Sequence, residues 1–209
     1  MRVILAGGGS GGHFYPLIAV ARSLKRLADE QKILNLELIY VSDEPYDAVL
    51  LQSENIKFLK IPAGKIRRYF SLENLFDPFK TFFGILKAIW LIYLHYPDII
   101  FAKGGYASFP TLFAARFLRI PVLVHETDTI PGKTILWASK FAKRIAISFP
   151  ETGKYFPRDR VALTGNPVRR EVFGKNSKEA RNALGLEKEI LAIFVTGGSQ
   201  GAQKINESI

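Results

Sequence analysis

The sequence predicts an α/β protein with a doubly wound, Rossmann-like parallel sheet. Short apolar runs of strand length alternate along the chain with longer segments of helical spacing, which is the pattern of a parallel sheet covered by helices. Glycine-rich turns follow three of those runs, as in folds that bind ligands at the carboxyl ends of their strands. After Gly165-Asn166-Pro167 the pattern starts again. We therefore predict a first domain over residues 1–163 and the start of a second Rossmann-like domain over 164–209.

The elements of the first domain follow from apolar runs and turn signals. Residues 3–6 are apolar and directly precede a run of glycines, which is typical of a buried strand. The longest helix is opened by Asp77-Pro78, because proline is favoured in the first helical turn. On the same reasoning, strands are predicted at 3–6, 36–41, 58–61, 98–102, 121–126, 144–149 and 161–164, and helices at 16–28, 44–54, 77–95, 110–118 and 133–141.

The second domain is predicted to hold a helix that begins at Asn176 or Ser177, then a strand over 190–196 and a further glycine turn. The sequence stops at Ile209, on the first turn of the next helix. A lone strand and two helices cannot bury their own apolar faces. We therefore expect a truncated sequence, an uncovered apolar face on the 190–196 strand, and no turnover by the chain alone.

Composition excludes several classes of protein. The 209 residues include 29 Lys and Arg against 19 Asp and Glu, and no Cys. The lack of Cys removes disulfide scaffolds, thiolate zinc sites and cysteine nucleophiles. No secretory signal is readable, and no apolar segment reaches the roughly 20 residues of a membrane span. The excess of positive charge favours an anionic partner, which can be phosphate, acidic lipid or nucleic acid.

The first glycine turn, Gly7-Gly8-Gly9-Ser10-Gly11-Gly12-His13, lies between a predicted strand and a predicted helix. Its backbone N–H groups and the helix N-terminus can face an anion at close range, so phosphate is the expected ligand. The turn also contains G-x-G-x-x-G, the fingerprint of dinucleotide folds, but Asp43 and Glu44 lie further on than the usual ~20 residues. The alternative is a tight turn without a ligand.

Polar residues follow two further strands of the same sheet. Lys103-Gly104-Gly105-Tyr106-Ala107-Ser108 comes directly after 98–102, and His125-Glu126-Thr127-Asp128 comes after Val122-Leu123-Val124. Because the carboxyl ends of parallel strands meet at one edge of a sheet, we expect both segments near the first turn. A plain polar loop is the alternative for 125–128.

The third glycine turn, within 196–202, is not a Walker A loop, because the G-K-[ST] ending is missing and Lys204 comes too late. The motif that would have indicated ATP hydrolysis is therefore absent. Arg169 follows Gly165-Asn166-Pro167-Val168 and is placed by sequence to reach across an interdomain cleft to a diphosphate. A solvated hinge arginine is the alternative.

A basic and aromatic segment lies between residues 57 and 87, with seven Lys and Arg, two acidic residues and interleaved aromatics. An exposed patch of this kind fits an anionic bilayer surface. The predicted patch comprises Lys65, Arg67, Arg68, Phe76, Phe79, Lys80 and Phe83. There are two alternatives. In the first, most of the aromatics are buried in the protein core by the 77–95 helix. In the second, the segment stacks on single-stranded nucleic acid, although no RNP, KH or zinc motif accompanies it.

Taken together, the ordered motifs resemble the MurG family of glycosyltransferases. They are GGGSGGHFYP at 7–16, GGYASFP at 104–110, HE at 125–126 with PG at 131–132, TGNPVR at 164–169 and GGSQGA at 197–202. The resemblance implies a two-domain GT-B enzyme that inverts configuration, uses no cofactor and no catalytic metal, and lies peripherally at the cytoplasmic face of the cell membrane. The implied reaction moves N-acetylglucosamine from UDP-N-acetylglucosamine (UDP-GlcNAc) to the C4 hydroxyl of the muramyl sugar of lipid I, undecaprenyl-pyrophosphoryl-MurNAc-pentapeptide. The product is lipid II, for peptidoglycan synthesis.

The resemblance also implies roles for individual residues. Donor contacts are Ser10, Gly11, Gly12, Asp128, Arg169 and Ser199, and contacts to the acceptor diphosphate are Gly8, Gly9, Gly104, Gly105, Tyr106 and Ser108. His13 is the expected general base, with Glu126 behind it, since imidazole can take a proton near neutral pH. The other interpretation of His13 is a helix-start residue that only binds a phosphate or the backbone. The expected partners are UDP-GlcNAc, lipid I and an anionic membrane surface, with no nucleic acid.

Two rival functions come from other classes of protein. A non-catalytic, membrane-associated acceptor-binding subunit would need a partner chain to supply the donor domain. An NAD-linked oxidoreductase is disfavoured by the spacing of the acidic residues and by the glycine turn that opens a new domain.

Overall fold

The computed structural model describes residues 1–65, 73–173, 177–187, 190–197 and 202–208. The chain divides into two compact units, Met1–Pro167 and Val168–Ile209, where the sequence predicts domains over 1–163 and 164–209. Three of the predicted site residues, Arg67, Arg68 and Ser199, lie outside the described residues.

The first unit is built on a seven-stranded parallel sheet. Its strands are β1 (Arg2–Gly7), β2 (Glu37–Ser42), β3 (Lys57–Lys60), β4 (Ile99–Gly104), β5 (Val122–Glu126), β6 (Arg144–Ile147) and β7 (Val161–Leu163). They lie side by side in the order β3-β2-β1-β4-β5-β6-β7, and each neighbouring pair is parallel. The strand order runs outwards in both directions from β1 and β4, so the predicted doubly wound class is confirmed.

The helices described in this unit are α1 (Gly11–Glu30), α2 (Ala48–Ser53), α3 (Glu73–His95), α4 (Phe109–Phe117) and α5 (Lys133–Ala138). Three of them begin elsewhere than predicted. The long helix α3 begins at Glu73, before the predicted start at Asp77-Pro78, and Pro78 lies inside it. The first helix starts within the glycine turn, because Ser10 is extended and its carbonyl accepts the N–H groups of His13 and Phe14. The second starts later than residue 44, because the side chain of Asp47 caps it by accepting the N–H of Leu50 at 2.8 Å.

Helices cover both faces of the sheet. Val3 and Leu5 of β1 pack in one buried cluster with Phe14 and Leu17 of α1. On the opposite face, residues such as Ile4 pack in a second cluster with side chains of α3, α4 and α5. Successive residues of a strand point to opposite faces, so a run that is apolar throughout is buried on both sides. This packing fixes the carboxyl ends of the central strands at one edge of the sheet.

The second unit contains both predicted helices and lacks the predicted strand. A 3₁₀ turn at Arg170–Val172, α6 (Ser177–Ala183) and α7 (Gln203–Asn206) are present. The strand predicted over 190–196 is wrong: this segment has no strand pairing, and Leu191 and Phe194 are 83% and 87% exposed. A strand needs a neighbour for its backbone hydrogen bonds, and the described part of this unit offers none. The expected exposure of apolar side chains is nevertheless present.

Among the described residues, no helix combines the length and apolarity needed to cross a membrane.

Candidate functional site

The carboxyl ends of β1, β4 and β5 meet where the strand order reverses. Ala6 pairs with Ala102, and after a register shift Gly7 pairs with Gly104. Ala102 in turn pairs with Val124 of β5. The first glycine turn, the second glycine turn and the polar segment 125–128 therefore leave the sheet side by side, as the sequence predicts. This point in an open α/β sheet is where ligands usually bind.

The two glycine turns lie against each other. Gly9 has φ +84°, and a Cβ there would lie 2.6 Å from Cε1 of Tyr106. Gly105 has φ +79°, and a Cβ there would lie 2.9 Å from the carbonyl oxygen of Gly8. Both positions thus require glycine for backbone conformation and for space. The result is a close contact of the two turns at the mouth of the sheet, with the Tyr106 ring against Gly9.

His13 lies on α1 between these turns. Its Nδ1 is 2.8 Å from Oγ of Ser10, and its ring approaches Gly105 so closely that a Cβ there would be 3.5 Å away. Burial lowers the pKa of His13, and the Lys103 cation lowers it further, while the Asp128 carboxylate opposes both. The imidazole is therefore neutral at neutral pH. When Oγ of Ser10 accepts a hydrogen bond from Nδ1–H, the Nε2 atom is left as a proton acceptor.

Glu126 does not stand behind His13 as predicted. One oxygen of its buried carboxylate accepts the N–H groups of Thr127 and Asp128 at 2.8 and 3.0 Å. The other oxygen accepts the N–H of Gly132 at 2.9 Å. These bonds hold the loop after β5 in shape, so Glu126 is a structural residue of the site. The carboxylate that acts on the charge of His13 is that of the exposed Asp128.

His125, the residue before Glu126, is also a buried part of the framework. Its Nε2 lies 2.9 Å from the carbonyl oxygen of Gly165, on the segment that leaves β7. Burial lowers the pKa of His125 to about 4, so the neutral ring donates its Nε2–H to that carbonyl. Residues 125 and 126 therefore do not form the plain polar loop that was the alternative.

Tyr106 anchors the second glycine turn. Its hydroxyl donates to a carboxylate oxygen of Asp43 at 2.7 Å, directly after β2. Lys65, predicted for the membrane patch, lies with Nζ 5.9 Å from the centre of the Tyr106 ring. The buried Ser108 closes the turn by donating from Oγ to the carbonyl of Gly105 at 2.9 Å. Sequence reasoning missed this role of Asp43, although an acidic residue at the end of a central strand was a readable signal.

The remaining predicted donor residues are divided between the two units. Ser10, Gly11 and Gly12 open α1 at the sheet edge, where Gly12 is exposed. Arg169 belongs to the second unit, Val168–Ile209. Nowhere in the described ranges do three His, Asp or Glu side chains come together in a way that could hold a metal ion.

The aromatic side chains predicted for the membrane patch lie on one exposed face of α3. Phe76, Phe79 and Phe83 are 68%, 63% and 62% exposed, and Lys80 beside them is exposed. Their spacing of three and four residues continues to Leu86 and Trp90, which are also exposed. The alternative that these three aromatic side chains are buried in the protein core is therefore wrong. The buried face of α3 carries smaller or aliphatic residues, among them Ala88 and Ile92.

Comparison with known proteins assigns the first unit to a family of glycosyltransferases. The model of the glycosyltransferase family 28 N-terminal domain matches residues 3–147. The chain therefore belongs to glycosyltransferase family 28.

Individual relatives extend the similarity beyond that domain. A protein of Borrelia hermsii, named UDP-N-acetylglucosamine--N-acetylmuramyl-(pentapeptide) pyrophosphoryl-undecaprenol N-acetylglucosamine transferase, is 41% identical over 209 residues, which is 99% of this chain and 56% of that protein. A Clostridium botulinum protein of the same name is 36% identical over 208 residues, covering 100% of this chain and 57% of its own length. The chain thus spans about half the length of the curated relatives it matches.

Solved structures agree on the architecture. MurG of Acinetobacter baumannii is 28% identical, with a TM-score of 0.62 over 80% of this chain and 46% of that one. The UDP-GlcNAc 2-epimerase of Methanocaldococcus jannaschii, solved with UDP-GlcNAc and UDP, has a TM-score of 0.57 over 79% of this chain and 46% of its own, at 14% identity. At 14% identity, the similarity to the epimerase shows a shared fold and nothing about function.

Proposed function

We propose that this chain forms the acceptor-binding part of an inverting N-acetylglucosamine transferase that converts lipid I to lipid II. The observation that carries the proposal is the contact of two glycine turns around a neutral histidine, at the carboxyl ends of β1 and β4. Backbone N–H groups in such turns bind phosphate oxygens, which suits a sugar linked through pyrophosphate to a lipid. The names of the 36–41% identical relatives describe this same transfer.

In the proposed reaction, His13 acts as general base. Nε2 of the neutral ring takes the proton of the C4 hydroxyl of the muramyl sugar while that oxygen attacks the anomeric carbon of UDP-GlcNAc. The bond from the anomeric carbon to UDP breaks on the opposite face, through an oxocarbenium-like transition state. UDP leaves with its negative charge, and Arg169 and Ser199 are proposed to stabilise the diphosphate. No step calls for a cofactor or a metal ion.

We also propose that the exposed face of α3 rests on the cytoplasmic face of the cell membrane. The acceptor carries an undecaprenyl chain, so its muramyl sugar stays close to the bilayer surface. Exposed Phe side chains beside Lys80 fit the boundary between acyl chains and anionic headgroups. The chain would bind there peripherally.

A transfer assay tests the proposal. A chimera that continues this chain with the remaining length of the Borrelia hermsii relative should move labelled GlcNAc from UDP-GlcNAc to a short-chain lipid I analogue. His13→Ala should lower kcat by 10²–10⁴-fold, with little change in the donor KM, because a general base acts in the chemical step. His95→Ala, at the far end of α3, is the matched control and should keep near-normal turnover.

Two results would contradict the proposal. Near-normal kcat in the His13→Ala chimera would exclude the assigned base. Binding of NAD but not of UDP-GlcNAc or the lipid I analogue, measured by calorimetry, would favour the oxidoreductase instead.

A further inference from the structure

Lys103 is a buried cation at the centre of the proposed acceptor site. It is the fifth residue of β4 and is only 2% exposed. Its backbone continues directly into Gly104 and Gly105 of the second glycine turn. Its Cβ would be 3.4 Å from a Cβ built on Gly7, at the start of the first turn. The side chain therefore starts from the junction of the two turns.

The ammonium group of Lys103 makes few direct contacts that balance its charge. In the described part of the chain, Nζ makes one hydrogen bond, to the neutral Oγ1 of Thr127 at 2.5 Å, and no ion pair. The neighbouring Glu126 carboxylate is occupied by three backbone N–H groups. A buried ammonium has three donors, and leaving them unpaired is costly. A buried lysine of this kind destabilises the fold, so binding of an anionic ligand explains it better than a contribution to stability.

The environment of the ammonium is strongly perturbed. Burial lowers the pKa of Lys103 to about 8, against the opposing effect of the Glu126 and Asp128 carboxylates. The other titratable groups that interact with it are His13 of α1 and His125 of β5, whose pKa values the Lys103 charge helps to lower. Lys103 is therefore partly neutral in mildly alkaline solution, and a bound anion would favour its charged form.

We propose that Lys103 is a diphosphate-binding residue, whose Nζ donates a hydrogen bond to a phosphate oxygen held between the two glycine turns. This inference deepens the proposed function, on which it rests. The chemistry is that of a diphosphate diester, which occurs both in a pyrophosphate-linked lipid acceptor and in a UDP-sugar. Lys103 supplies the full positive charge that the backbone N–H groups of the turns lack.

Calorimetry on this chain tests the assignment with two probes, a P1,P2-dialkyl pyrophosphate for the acceptor and UDP-GlcNAc for the donor. Lys103→Met keeps the length and apolar stem of the side chain and removes the charge. It should weaken binding of one of the probes by about tenfold to a hundredfold, since hydrogen bonds to charged groups have that strength. The probe that is affected identifies the source of the diphosphate. Lys143→Met, an exposed position before β6, removes the same charge and should leave binding of both probes unchanged.

Thermal unfolding separates a binding role from a structural one. Lys103→Met should keep or raise the Tm, because it removes an unpaired buried charge. A lysine needed only for packing would instead show a lower Tm and unaltered affinity, which would overturn the inference. Wild-type chain that binds neither probe would overturn the acceptor site of the proposed function as well. Wild-type binding that Lys103→Met leaves intact would overturn the Lys103 assignment alone.

A measurement on the wild-type chain makes the test independent of the variant. Affinity for the bound probe should fall as pH rises through about 8, because Nζ loses its proton while the phosphates of a diester keep their charge. Neither His13 nor His125 titrates in this range, since both pKa values are lowered. Affinity that stays constant from neutral pH to well above 8 would contradict the assignment.

Discussion

Glu126 is a residue whose chemistry is easily mistaken in a linear sequence. A carboxylate that follows an apolar strand and a histidine suggests acid–base work, but here both oxygens are bound to backbone N–H groups of the loop that follows. Only the structure shows this, because the partners are main-chain atoms and leave no trace in the residue types. The consequence is that Glu126 positions the backbone of Thr127 and Asp128.

Replacing Glu126 by Gln should therefore affect stability before chemistry. The amide can still accept hydrogen bonds at one oxygen, but its NH₂ group faces a backbone N–H, so at least one buried donor loses its partner. We expect a loss of about 1–3 kcal/mol in the free energy of unfolding, measured by urea denaturation. Glu44→Gln, at an exposed position, should change it by less than about 0.5 kcal/mol. Equal effects of the two variants would argue against a structural role.

Asp128 influences His13 through its charge. The carboxylate favours the imidazolium form and raises the pKa of His13, against burial and Lys103, which lower it. Asp128→Asn removes the negative charge at nearly constant size, so the pKa of His13 should fall further below its ordinary value. An NMR titration of the His13 ring protons measures this directly. A rise, or no change, would show that the carboxylate does not act on His13.

Residue-level chemistry could be predicted from the sequence where it depended on the backbone. The two glycine turns were readable as tight turns after strands, and Gly9 and Gly105 indeed have positive φ. The link from Tyr106 to Asp43 and the burial of Lys103 could not be read, because both depend on which strands become neighbours. The sequence presents Lys103 as one more basic residue.

At the scale of elements, helix boundaries were the weakest predictions and strand positions the strongest. The first helix was predicted from residue 16, yet it begins at Gly11, where packing against the sheet overrides the low helix propensity of glycine. Strands buried on both faces are marked by continuous apolar runs, and each lies within a few residues of its predicted place. The same logic failed for 190–196, where an apolar run has no neighbouring strand.

The exposed face of α3 is predicted to bind anionic membranes. Phe79→Ser with Phe83→Ser should remove most binding to anionic vesicles in a sedimentation assay while the fold persists, since both side chains are exposed. Wild-type binding should weaken as salt rises, because exposed charges are screened over about 8 Å at physiological ionic strength.

A matched double variant controls for lost surface hydrophobicity. Leu34 and Val49 are 94% and 78% exposed but lie outside α3, so Leu34→Ser with Val49→Ser should bind vesicles like the wild type. If the α3 variant sediments as well as this control, the face of α3 is not the membrane surface.

For the whole molecule, the two units differ in how their apolar residues are used. The first unit buries them on both faces of a sheet, whereas residues such as Leu191, Ile193 and Phe194 of the second unit are at least 80% exposed. Amide hydrogens over 190–197 should therefore exchange much faster than those of β1 and β4, as followed by mass spectrometry. Protection in this segment equal to that of the central strands would contradict the exposure of its backbone.

The fold class could be predicted from the sequence because apolar runs of strand length alternate with helical segments along the whole first unit. The division into units was marked by Gly165-Asn166-Pro167, close to the boundary between Pro167 and Val168.

The carboxyl edge of the first unit is proposed to bind the pyrophosphate-linked acceptor. Titrating ¹⁵N-labelled chain with a short-chain lipid I analogue, and following amide shifts by NMR, locates this binding residue by residue. We predict saturable shifts at the first and second glycine turns, Gly8–Gly12 and Gly104–Ser108, with none at the opposite edge around Arg2 and Asp98. Saturable binding that leaves both glycine turns unshifted, or no binding at all, would contradict the account.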